Sequence, residues 1–83
     1  MTKSIINEEV AVTAVSFRRN FEPIPTRIEY KGRAYIFIDS GMRYLVKNGE
    51  RISQLFDMTD GTTNFRLRNE SGASNWTLVA MTR

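Results

Sequence analysis

The chain has 83 residues, 41% hydrophobic and 25% charged, which bounds it to one small domain and is too apolar for disorder. It has no cysteine and no histidine, which excludes disulfides, thiolate nucleophiles, Cys/His zinc sites and every imidazole-based triad. The net charge is +3, with arginine dominating the basic residues, so a polyanionic partner is permitted but not required.

Residues 1–9 read as loosely ordered, with Ser4 and Glu8 offering only a weak helical turn. They contain no long apolar run, so they do not read as a signal peptide, and no segment is long enough to span a membrane. With the missing cysteines, this predicts a cytoplasmic protein. Val10 to Phe17, VAVTAVSF, has the β-branched content and the length of a strand. After Arg18 and Arg19, Pro23 and Pro25 enforce an extended connection.

The stretch from Pro25 to Lys47 is the densest in strand-forming residues. It reads as three strands, Thr26–Tyr30, Arg33–Asp39 and Met42–Lys47, reversing at Lys31-Gly32 and at Ser40-Gly41. Asn48-Gly49 is a strong hairpin signal. In Glu50–Thr59, Ile52, Leu55 and Phe56 have helical spacing, whereas Ile52, Phe56 and Met58 also fit a strand face. Asp60-Gly61 directly afterwards favours the strand and a further hairpin. Thr62–Asn69 is the next strand, Glu70–Ser74 a polar loop, and Asn75–Met81 the last strand. The expected fold is all-β, a single domain over residues 1–83. It is a small barrel-like roll of about six or seven antiparallel strands linked by tight Gly turns.

Two-residue loops at the four Gly turns predict a register. Tyr30 meets Arg33 and Ile28 meets Tyr35; Phe37 meets Tyr44 and Ile36 meets Leu45. Lys47 meets Glu50, Leu45 meets Ile52, Phe56 meets Phe65 and Met58 meets Thr63. Alternation then divides the side chains between two faces. Ile36, Ile38, Leu45, Ile52, Phe56, Met58, Phe65 and Leu67 form the expected core. Tyr30, Arg33, Tyr35, Phe37, Tyr44, Arg51, Arg66 and Arg68 share the other face with Ile28, Val46 and Leu55. A single bulge would move every later residue to the opposite face. Trp76 is expected in the core or at its edge.

That Tyr/Arg face is the candidate site. Bases stack on aromatic rings and arginine forks hold phosphates, so it suits single-stranded nucleic acid. Arg33, Arg51, Arg66 and Arg68 are the candidate phosphate holders, and Tyr35 and Tyr44 the stacking platforms. Arg18 and Arg19 would extend the positive track. The same composition suits a protein interface, including homodimerisation, because Tyr and Arg are enriched there too. Asp57 and Asp60 read as turn residues flanking Gly61 rather than an acid or metal site. No pattern supports catalysis, a cofactor or a metal, so the expectation is a non-enzymatic adaptor.

The segment Pro25-Thr26-Arg27-Ile28-Glu29-Tyr30-Lys31-Gly32-Arg33-Ala34-Tyr35 resembles a family of short bacterial all-β proteins of unknown function. Their genes often lie near those for lesion-bypass DNA polymerases. Phe65-Arg66-Leu67 and Asn75-Trp76-Thr77-Leu78 are similar to that family's later strands. The likeness covers roughly residues 25–79 and departs from it between Asp39 and Gln54. It implies a small β domain and, through gene neighbourhood, a link to DNA transactions; it supplies no catalytic residues.

Overall fold

The computed structural model describes residues 2–17, 23–70 and 75–83, apart from the side chains of Asp39 and Ser40. Arg18 and Arg19 lie outside the described residues. Within these bounds seven strands form one antiparallel sheet, and no helix is long and apolar enough to cross a membrane. The strands are β1 (Lys3–Phe17), β2 (Pro23–Tyr30), β3 (Arg33–Ile36), β4 (Asp39–Asn48), β5 (Arg51–Thr59), β6 (Asn64–Glu70) and β7 (Trp76–Thr82). Glu50–Thr59 is therefore extended, not helical. Strand β1 begins well before Val10, because its first half is held by β7 rather than by local propensity.

The hydrogen-bonded order is β3-β2-β1-β7-β6-β5-β4. Strand β1 serves both halves of the sheet. Lys3 to Val10 pair with β7, and Ala11 to Phe17 pair with β2. The ladder is interrupted between Ile5 and Glu8, where Asn7 takes a left-handed φ of 53°, and again around Ala14. Such irregularities bend a strand and increase its twist, which lets one strand turn from one half-sheet into the other.

Strands β3 and β4 are consecutive in sequence yet stand at opposite ends of the order. The crossing takes two residues. Phe37 N–H donates to the Thr26 carbonyl at 2.9 Å, and Ile38 N–H donates to the Thr59 carbonyl at 2.9 Å. The chain thus leaves β2 and joins β5 within one peptide unit, so the sheet rolls until its two ends approach. Among the described residues no ladder joins β3 to β4, and the sheet is not closed into a barrel.

This crossing overturns the expected Ser40-Gly41 hairpin. Gly41 has the positive φ (59°) that made it look like a turn, but it lies inside β4, at a register shift between Asp39 and Met42. Positive φ serves a bulge as well as it serves a hairpin. The expected pairs Phe37–Tyr44 and Ile36–Leu45 are not formed. The Lys31-Gly32 hairpin is as expected, with Tyr30 opposite Arg33 and Ile28 opposite Tyr35. Lys31 and Gly32 both have positive φ (50° and 74°), the signature of a type I′ turn. The next loop is Gly49-Glu50, with Asn48 opposite Arg51, so Lys47 meets Ile52 and Leu45 meets Gln54. That is a slip of two residues from the expected register, which keeps every side chain on its face.

The β5–β6 connection is longer than two residues. Thr59 pairs with Asn64, and Asp60 organises the loop between them. Its Oδ1 accepts from the N–H of Thr62 at 2.9 Å, from the N–H of Thr63 at 2.8 Å and from the Thr62 hydroxyl at 3.1 Å. Phe56 therefore meets Leu67 and Met58 meets Phe65, again two residues from expectation on an unchanged face. Burial pushes the Asp60 carboxyl up, but the donors from Thr62 and Thr63 outweigh it and hold the group below the usual carboxylate range. A depressed folded value makes this contribution complete above the unfolded value of about 4 and lost as pH falls through the folded value. The destabilisation caused by Asp60→Asn is expected to be larger at pH 7 than near pH 2, read from urea midpoints. Equal differences at both pH values would contradict the assignment.

The core lies between the two half-sheets. Val10, Ile24, Ile28, Phe37, Phe56, Met58, Phe65, Leu67, Trp76 and Leu78 are buried together. Tyr35 and Phe37 bring their rings to 4.9 and 5.1 Å from that of Phe65, and Phe56 lies 5.4 Å from Trp76. Tilted pairs at these distances add to the area they bury. Trp76 is in the core, as expected. Ile36, Ile38, Leu45 and Ile52, expected in the core, are exposed. Ile28 and Phe37, expected on the Tyr/Arg face, are buried. Because β3 and β4 do not form a hairpin, the two halves of the predicted register carry opposite face assignments, which accounts for Ile28, Ile36 and Phe37. Leu45 and Ile52 keep the face of Phe56 and Met58 but lie towards the far end of the β4–β5 hairpin, beyond the core.

Candidate functional site

The corrected register divides the candidate residues. Tyr44, Arg51, Arg66 and Arg68 lie on the outer face of β4, β5 and β6, turned away from the core. Three cross-strand rows build this face. Met42 stands opposite Asp57, which stands opposite Arg66. Tyr44, Leu55, Arg68 and Thr77 form the next row across to β7, and Val46, Ser53 and Glu70 the third. Strict alternation on β6 puts Phe65, Leu67 and Asn69 inward and leaves Arg66, Arg68 and Glu70 exposed.

Arg33 and Tyr35 belong elsewhere. They sit on the core side of β3, where Tyr35 packs half-buried against Phe65. Arg33 remains exposed at the rim, its Cζ 5.2 Å from the Tyr35 ring centroid, a cation–π contact. The expectation of one continuous Tyr/Arg surface from Arg33 to Arg68 is not met, because the β3–β4 crossing inverts the facing between these segments.

On the outer face, Arg66 grips Asp57 with both ends of its fork. Nε donates to Oδ1 at 2.8 Å and Nη2 donates to Oδ2 at 3.0 Å. Hydrogen bonding and charge from Asp57 raise the Arg66 pKa further, so the guanidinium stays charged. Its Cζ also lies 5.9 Å from the Tyr44 ring centroid. Arg68 Nε is 3.9 Å from Glu70 Oε1, and the other Glu70 oxygen accepts from the Ser53 hydroxyl at 3.0 Å. The Arg51 side chain has no hydrogen-bonding or ion-pair partner among the described residues. Both ion pairs are solvent-exposed, so each contributes at most about 1 kcal/mol to stability.

Between these polar groups runs a groove of about 400 Å³. Leu55, Val46 and Val79 supply its apolar lining, and Arg51, Arg66, Arg68 and Glu70 supply charge. Sequence reasoning assigned Val46 and Leu55 to the Arg51/Arg66/Arg68 face but missed Asp57, Glu70 and Val79. The signal for Asp57 was the length of the Asp60 loop: with two further residues in that loop, Asp57 falls opposite Arg66. Among the described residues no group of acidic side chains could hold a metal ion. Neither a family model, nor a curated protein, nor a solved structure matches this chain.

Proposed function

We propose that this chain is a non-enzymatic adaptor that docks a protein partner on the outer face of β4–β7. The observation that carries this reading is the state of the arginines around the groove. Arg66 is forked onto Asp57 and Arg68 stands beside Glu70, around the apolar side chains of Val46, Leu55 and Val79. An apolar centre with a rim of charges, paired at Arg66 and Arg68, is the anatomy of a protein interface. At these two arginines a phosphate chain would have to displace carboxylates already in place, and the carboxylates would repel it.

The test sets both partner classes side by side. Fluorescence anisotropy with labelled single-stranded DNA, duplex DNA and RNA is expected to show no binding at tens of micromolar protein, even at low salt. In an affinity pull-down, the proteins retained by the wild-type chain are expected to be lost with Leu55→Asp, while the circular dichroism spectrum is unchanged. Micromolar nucleic-acid binding would overturn the reading if it weakened with salt by about −0.7 in log–log slope per phosphate contact and was abolished by Arg66→Ala with Arg68→Ala. The arginine face would then be a nucleic-acid surface, in keeping with the link to DNA transactions that the family resemblance implies.

A further inference from the structure

Strand β4 ends the hydrogen-bonded order and pairs only with β5 among the described residues. Its direction of bonding follows from the hairpin. A two-residue loop makes Asn48 and Arg51 a hydrogen-bonded pair, and the main-chain groups then alternate along the strand. Tyr44 and Val46 direct their N–H and C=O groups at β5, whereas Leu45 and Lys47 direct theirs outward. From Met42 to Asn48 the strand has no register shift. It also carries exposed apolar side chains on both faces, with Met42 61%, Leu45 63% and Val46 43% exposed. A regular, apolar edge that carries no second ladder from Tyr44 to Asn48 among the described residues is a template for strand addition.

We infer that β4 pairs antiparallel with β4 of a second copy of this chain, across a two-fold axis at Val46. Charge selects the register. An axis at Leu45 would set Arg43 opposite Lys47 of the second copy, and like charges directly opposite are destabilising. An axis at Val46 sets Leu45 opposite Lys47 of the second copy, Val46 opposite itself and Tyr44 opposite Asn48, so no like charges stand directly opposite each other. The main-chain bonds at its centre come from Leu45 and Lys47. An axis at Tyr44 would run the ladder into the Gly41 bulge, where the left-handed backbone interrupts regular pairing. The Val46 register is self-complementary, which a closed two-fold interface requires. It does not rest on partner docking in the groove, because the main-chain edge makes the contact.

Sedimentation equilibrium tests the assembly, and engineered cysteines test the register. The full chain is expected to sediment at twice the monomer mass at tens to hundreds of micromolar. Val46→Cys gives the chain its one thiol. At a non-hydrogen-bonded antiparallel pair the Cα atoms lie about 4.5 Å apart, within the span a disulfide bridges. Mild oxidation is expected to give a covalent dimer at least about tenfold faster than with Thr62→Cys, on an exposed loop. Val46→Lys sets two cations on the axis and is expected to be a folded monomer. A wild-type chain that sediments as a monomer throughout this range, or equal cross-linking at positions 46 and 62, would overturn the proposal. Faster cross-linking of Tyr44→Cys than of Val46→Cys would overturn the register. Loss of partner capture by Leu55→Asp reads the groove separately, so the two readings fail independently.

Discussion

Leu67→Ala is expected to lower stability by about 3–4 kcal/mol. Leu67 is 0% exposed at the centre of β6, with Phe56 opposite it on β5 and Leu78 opposite it on β7. Every neighbour is anchored in a ladder, so the cavity cannot collapse, and a cavity that persists adds to the lost transfer energy. Domains are stable by only about 5–15 kcal/mol in all. For a domain of this size, each kilocalorie corresponds to about 4–8 °C in melting temperature. Thermal unfolding followed by circular dichroism should therefore show a fall of at least about 12 °C. A fall of under about 5 °C would mean that Leu67 is not at the centre of the core.

Gly41→Ala is expected to be comparably damaging, for a backbone reason. A Cβ built on Gly41 would lie 1.6 Å from the Asp57 carbonyl oxygen, a main-chain atom that a side-chain rotation cannot move. Its φ of 59° is also left-handed, which costs a residue with a Cβ about 1–2 kcal/mol. Gly32→Ala is the control. Gly32 has a φ of 74° but nothing within 4 Å of its Cβ position, so it carries the left-handed penalty alone. Gly41→Ala should exceed Gly32→Ala by at least about 1 kcal/mol in a urea titration. Faster amide exchange should be confined to the start of β4 and the facing end of β5. Equal costs at the two positions would show that β4 does not approach β5 this closely at the bulge.

These two residues also mark the boundary of what could be read in the chain. Leu67 belongs to a strand of strict alternation, Phe65 inward, Arg66 outward, Leu67 inward, and such a pattern survives a two-residue slip of register. The Lys31-Gly32 turn and the strand nature of Glu50–Thr59 were legible for the same reason, since local alternation and turn chemistry specified them, and Trp76 was legible from the size of its apolar ring system. Gly41 was not legible, because left-handed backbone fits a bulge and a hairpin equally. The mistaken hairpin then inverted the facing of everything before it relative to everything after, and placed Arg33 and Tyr35 with Arg66 and Arg68. In Tyr44-Leu45-Val46 the pattern itself carries no facing information. Apolar residues on successive positions leave both faces alike, as suits an edge strand that lies largely outside the core.

The pairing of β1 with β7 has a consequence for how the fold is reached. Lys3 stands opposite Thr82, and Thr2 and Arg83 exchange main-chain hydrogen bonds at 3.1 and 2.9 Å. The β1–β7 ladder therefore closes a loop that runs through nearly all of the described sequence. The strand shared by the two half-sheets cannot be fixed along its first half until the last strand has been placed. The β2–β3, β4–β5 and β5–β6 hairpins can form early from local contacts. Assembly of the sheet, however, waits on the contact of highest sequence separation, and such topologies fold in milliseconds to seconds rather than microseconds. During that interval the apolar core faces of the hairpins are not yet covered by β1 and β7, so the slow step of folding is also the step most exposed to aggregation.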